Sequence, residues 1–234
     1  MMNVYFESKK EEIREYEEKL KKEPANEDIT GWLIMNCSYL AKHLIGSFDA
    51  GVKVDVDTEI FQEALKYAKK AYGYAEQQYE NRNAKDVLSI IRFRYLCSDF
   101  WNCCEQMGNF MEIAGDKSTA IHYFENRVAA VEEYVNTVHN LPVTDYEIPE
   151  FMGSDSSLLE TEYRNMVNAY LRAEDVEAAK RMAKKWVDKG RVMSEKSLMY
   201  SGALKMYEIL VNNDGDEKEV EEYLKIVKEY IGGQ

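Results

Sequence analysis

Helix breakers are nearly absent from this chain: three prolines and twelve glycines occur among 234 residues. Proline lacks the amide that a helix interior needs, and glycine is about 1 kcal/mol worse than alanine there. A chain so short of both can run in long uninterrupted helices. The apolar residues agree, recurring at three- and four-residue intervals that gather them on one side of a helix. The expected fold class is all-α, with about nine helices and no strand of consequence.

The first helix is expected over Asn3–Lys22, where Phe6, Ile13 and Leu20 form a narrow seven-residue stripe. Glu15–Lys19, Glu17–Lys21 and Glu18–Lys22 support it as i,i+4 pairs worth roughly 0.2–0.5 kcal/mol each. Pro24 closes it. A second helix is expected over about Thr30–Phe48, with Trp32, Met35, Tyr39 and Ala41–Leu44 as its apolar side. After a loop at Asp49–Asp57, Asp57 or Thr58 caps a third helix reaching about Tyr79. Its inward residues are expected to be Ile60, Ala64, Tyr67 or Ala68, and Ala71. Asn83–Ala114 reads as one helix about 48 Å long at 1.5 Å per residue. It is apolar on several sides and therefore covered by neighbours. Gly115-Asp116 turns the chain into Lys117–Val138. Four more helices are expected at about Leu158–Arg172, Asp175–Lys189, Ser194–Val211 and Asp216–Ile231. The irregular stretch 140–157, with Pro142 and Pro149, divides a first half, 1–139, from a second, 158–234, within one continuous domain. Connections elsewhere are short, so neighbours should pair as antiparallel hairpins.

Charge narrows the partners. Lys and Arg number 30 against 43 Asp and Glu, a net charge of −13. Such a chain repels a phosphate backbone unless it concentrates a basic patch, and no run of Lys or Arg does so. Nucleic acid is therefore not an expected partner; the acidity reads first as solubility, and in a sharper reading as a surface for a basic partner. The cysteines (Cys37, Cys97, Cys103, Cys104) and histidines (His43, His122, His139) lack zinc-site spacing, so neither a metal nor a cofactor is expected. No apolar run approaches the ~20 residues that cross a bilayer, and the opening Met-Met-Asn-Val-Tyr-Phe lacks the core of a secretion signal. Reduced thiols and a cytoplasmic location, away from membranes, are the expectation.

Two hairpins share a register. The first reads Cys104-x2-Met107-Gly108-x2-Met111, then Gly115-Asp116, then Ala120-x3-Phe124. The second reads Tyr163-x2-Met166-Val167-x2-Tyr170, then Glu174-Asp175, then Ala179-x3-Ala183. Partial matches occur at Trp32-x2-Met35-Asn36-x2-Tyr39 and Tyr200-x2-Ala203-Leu204-x2-Tyr207. This pattern resembles the tetratricopeptide repeat, W-x2-L-G-x2-Y followed by A-x3-F at a period of about 34 residues. The spacing between Ala120 and Ala179 exceeds one period, so the repeats are degenerate and interrupted. The resemblance implies a right-handed array of helical hairpins whose concave groove, lined by the first helix of each pair, binds a protein or peptide.

The resemblance also implies a site. One binding mode of that family clamps a carboxylate with Lys, Arg and Asn from the groove. Asn109 directly follows Gly108, and Asn168 takes the equivalent place after Val167. Arg164 and Arg172 share the Asn168 face at i−4 and i+4, and guanidinium forks suit carboxylate or phosphate. Asn109, Arg164, Asn168 and Arg172 are the candidate ligand-binding residues. Phosphate-binding loops, dinucleotide fingerprints, HExxH and GxSxG are absent from the sequence. His122 falls on the helix carrying Ala120 and Phe124, and Cys103-Cys104 in mid-helix, where a buried thiol is inert. The chain is expected not to be an enzyme. The alternative expectation is an acidic inhibitor- or immunity-type protein covering a basic partner.

Overall fold

The computed structural model describes residues 2–45, 55–82, 90–139 and 155–232. They form nine α-helices and, among the described residues, no strand: α1 (Met2–Lys22), α2 (Glu27–Ile45), α3 (Glu59–Glu80), α4 (Ile90–Ile113), α5 (Lys117–His139), α6 (Asp155–Arg172), α7 (Val176–Met193), α8 (Lys196–Asn212) and α9 (Glu217–Gly232). The all-α expectation holds. Two compact units result, Met1–Ala130 and Val131–Gln234, divided within α5. The first seven residues of the expected long helix, and residues 140–154 of the expected loop, lie outside the described residues; α6 begins at Asp155, three residues before its expected start.

In the first unit α2 packs on α3, α3 on α4, and α2 also touches α4, while α1 lies against α2. Packing on both the next and the next-but-one helix is the arrangement of stacked helical hairpins. Asn26 caps α2, its Oδ1 accepting from the Ile29 amide at 3.1 Å, so the helix starts three residues before the expected Thr30. Its buried face is Leu33, Ile34, Cys37, Leu40 and Ala41, against an α3 that buries Ala64, Ala68, Ala71 and Ala75. Small residues on both helices permit close approach.

That packing turns part of the expected face of α2 outward, while Ala41 is buried as expected. Met35 is 62% exposed and Tyr39 41%. Apolar residues stand at helical spacing on two sides of α2, and the side with cysteine and alanine takes the tight seam because α3 offers alanines. The partial repeat match at Trp32–Tyr39 therefore fails in register. Ile60 is likewise exposed, at 58%. Thr58 caps α3 by accepting from the Phe61 amide at 3.2 Å, and a helix begun there turns Phe61 inward instead.

The α4–α5 hairpin is built as its spacing predicts. Cys104, Met107 and Ala120 are buried, and a Cβ at Gly108 would lie 2.4 Å from the Phe124 ring. Gly115 takes φ +79°, and the Asp116 amide reaches back to the Met111 carbonyl at 2.9 Å. Asp116 then caps α5 through the Thr119 amide at 3.0 Å.

In the second unit α6 packs on α7 and α8, α7 on α8, and α8 on α9. Tyr163, Met166, Val167, Ala179 and Ala183 are buried as the second repeat match predicts. The Tyr163 hydroxyl donates to Glu132 at 2.5 Å, and Lys185 pairs with the same carboxylate at 2.7 Å, which fastens the end of α5 to α6 and α7. Where α7 meets α8, a Cβ at Gly190 would lie 2.5 Å from the Met199 nitrogen. Glycine is required there because the wall is backbone. The turns at Glu174, Ser194 and Asp214 use positive φ like Gly115, at 65°, 57° and 51°.

Candidate functional site

The first unit carries a groove of about 720 Å³. It is bounded by the turn into α2 and that helix's first turn, the end of α3, and the early part of α4. Asn26, Glu27, Asp28, Gln78, Tyr95 and Asp99 line it. Gln78 Nε2 donates to the Glu27 carbonyl at 3.2 Å, tying the end of α3 to the start of α2. Further along, Gln106 of α4 donates to the Ser38 carbonyl and accepts from the Ser38 hydroxyl, both at 2.9 Å. Asp28 and Asp99 thus share a groove near the start of α2, and Ser38 and Gln106 pair near its end. The two helices therefore run parallel, as first helices of successive hairpins do.

Ordinary helix chemistry explains two of the carboxylates. Glu27 and Asp28 stand in the first turn of α2, where negative charge favours the helix N-terminus. It does not explain Asp99. That residue is half-buried in the middle of α4. Asp28 and Asp99 form no hydrogen bond or ion pair among the described residues. Burial alone pushes the Asp99 carboxyl up to about 6. A charge kept without a partner costs stability, and such sites are where function is built. Beside it Tyr95 is 62% exposed, its ring open to a ligand.

Beyond the groove an exposed stripe runs on along α2. Asp28, Met35 and Tyr39 follow at seven and four residues on α2, so they form one exposed stripe. Tyr39 stacks on His43 with centroids 3.8 Å apart. On α4, Asp99, Asn102, Gln106 and Asn109 follow at three- and four-residue steps. Asn109, half-buried, thus stands about 15 Å along α4 from Asp99 on the same side.

The other three sequence candidates belong to the second unit. Arg164, Asn168 and Arg172 do share one face of α6, with both arginines exposed and Asn168 half-buried. Arg164, however, pairs with Glu160 one turn earlier, and the same Glu160 oxygen accepts from the Ser201 hydroxyl of α8 at 3.1 Å. Arg172 stands in the last turn of α6, where a cation complements the helix dipole.

Sequence reasoning missed Asp28, Gln78, Tyr95 and Asp99. A signal existed: Asp99 is the single acid between Ile90 and Cys104, and Tyr95 precedes it by one turn. The other reactive groups are subdued. Burial raises the Cys103 and Cys104 thiols far above their usual range, and Cys37 to about 12. His122 is exposed and faces Asn126 at 3.2 Å. No group of three His, Cys, Asp or Glu side chains gathers as metal ligands among the described residues. No helix among them is long and apolar enough to cross a membrane.

No family model matches the chain, and no curated protein matches it. Among solved structures it is similar to a de novo designed helical repeat protein, DHR64, at 14% identity over 98% of this chain and 92% of that one, with a TM-score of 0.31. It is also similar to the DHF58 filament, at 14% identity over 98% of this chain and 94% of that one, with a TM-score of 0.33. The architecture of stacked helical hairpins stands on the helix packing itself.

Proposed function

We propose that this chain is a protein- or peptide-binding scaffold of the tetratricopeptide kind, without catalysis of its own, which holds a segment of another macromolecule on the open face of α2 and α4. The observation that carries this reading is the groove of about 720 Å³ in the first unit. Ligand sites commonly measure about 300–1,000 Å³. The exposed Met35 and Tyr39 further along the same face of α2 suit an extended segment better than a small metabolite. The test is a photo-crosslinking amino acid in place of Tyr95, with another in place of the exposed Lys225 on α9 as control. Crosslinks to a discrete protein from position 95 and not from 225 support the reading. Equal labelling from both positions, or none from either, removes it.

A second reading is the acidic inhibitor- or immunity-type protein, favoured by the carboxylates facing the groove. Its complex should weaken steeply with salt, since exposed charge pairs are screened within about 10 Å at 0.1 M. For an acidic segment the α6 row is the corresponding proposal, with Arg164, Asn168 and Arg172 as anchors and Asn109 serving the first unit. Arg164→Ala with Arg172→Ala should then weaken such a partner while leaving helicity intact.

A further inference from the structure

We infer that the groove of the first unit seats a lysine or arginine side chain between Asp28 and Asp99, on a partner segment whose apolar residues, some three positions and more along the chain, lie over Met35 and Tyr39. This inference rests on the scaffold reading and names the chemistry of the segment.

Charge complementarity selects the occupant. Asp28 and Asp99 line one cavity, and neither has a hydrogen-bonded or ionic partner among the described residues. The first-turn preference for acids covers Asp28 but gives no reason for a half-buried acid in mid-α4. An ammonium or guanidinium would supply a partner and offset by attraction the burial that lifts Asp99 to about 6. The Tyr95 ring adds a face over which a cation is attracted, and the Gln78 amide can accept from it. An arginine, with five donors, can satisfy both carboxylates at once; a lysine meets one and hydrates the rest.

The volume sets the size. A cavity of about 720 Å³ is several times a single side chain, so the segment enters as extended chain and not as an isolated cation. Met35 and Tyr39 then lie about two and three turns further along the Asp28 face. Their exposure is the apolar half of the surface. The tether between Ser38 and Gln106 holds α2 and α4 at fixed spacing beyond the groove, so the site is preformed.

The test uses three fluorescein-labelled peptides of equal length in anisotropy titrations with the full chain: one alternating arginine with leucine, one alternating glutamate with leucine, one of serine and leucine. The arginine peptide should bind and the others should not. Asp99→Asn, nearly isosteric and removing one charge-assisted contact, should weaken it about tenfold. Glu221→Gln with Glu222→Gln, which removes two exposed charges from α9 in the second unit, should leave it unchanged. Equal losses in both variants would mean diffuse attraction to an acidic protein and would overturn the inference. Binding of only the glutamate or serine peptide would overturn it while sparing the scaffold reading. Failure of all three peptides, with no partner crosslinked from position 95, would remove both. Circular dichroism on each variant keeps folding out of the comparison.

Discussion

The α4–α5 hairpin of the first unit and the α6–α7 hairpin of the second are built to one plan and present different surfaces. Their seams correspond: Cys104, Met107 and Ala120 in one, Tyr163, Met166 and Ala179 in the other, all buried. Their turns correspond, with Gly115 and Glu174 both at positive φ and an aspartate following each as cap. Their open faces do not. Asp99 in the first has no partner among the described residues, whereas Arg164 in the second is answered by Glu160. The seam decides whether the hairpin forms, so its residues are constrained. The open face is free to differ, and its unanswered charges are where function is legible.

The largest expected effect tests whether the seams are equivalent. Ala120→Leu and Ala179→Leu should each destabilise by about 2–3 kcal/mol, the usual result of overpacking a close helix pair. Urea denaturation measures both. If one is tolerated, the two hairpins do not share a seam.

Next comes the unanswered carboxyl. Asp99 titrates near 6 in the folded chain, above the value of about 3.9 in an unfolded one. An acid whose folded value is raised lends stability below the unfolded value and loses it as the pH climbs through the folded one. Asp99→Asn should therefore stabilise the chain at pH 8 by ~1–2 kcal/mol, allowing for solvent screening, and the gain should close below about pH 4. The neighbouring titratable groups, Glu27, Asp28, Tyr95 and Cys103, are unchanged in the variant. A gain that persisted at low pH would mean that packing, and not charge, is responsible.

The turns give a smaller and opposite pair of effects. Gly115→Ala should cost about 1 kcal/mol, because a Cβ is strained at φ +79°. Glu174→Gly should stabilise by about 0.5–1 kcal/mol, relieving the same strain where glycine is absent. Thermal melts on the two variants should move in opposite directions.

Smallest is the answered cation. Arg164→Ala should change stability by less than about 0.5 kcal/mol, since its ion pair with Glu160 is exposed. Glu160→Gln should matter little to stability but should free Arg164. A rise in binding of the glutamate peptide in that variant alone would show that the α6 row is held in check by its own helix.

The helices, most of their turns and the seams of the α4–α5 and α6–α7 hairpins are legible in the sequence, because each rests on spacing within one helix or on a short connection between two. Scarce proline, apolar spacing, the capping aspartates and the pairing of Gly108 with Phe124 are local facts. What tertiary structure decided is everything set by a distant helix. Alanines on α3 chose which side of α2 is buried, and so put Met35 and Tyr39 outside. Ser201 of α8 donates to Glu160, whose pairing with Arg164 is itself a local i,i+4 contact within α6. No cation of the described residues pairs with Asp99, and that is visible only when α2, α3 and α4 are assembled. Charge pairing and burial across helices are sums over chain segments far apart in sequence, and no single helix carries that information.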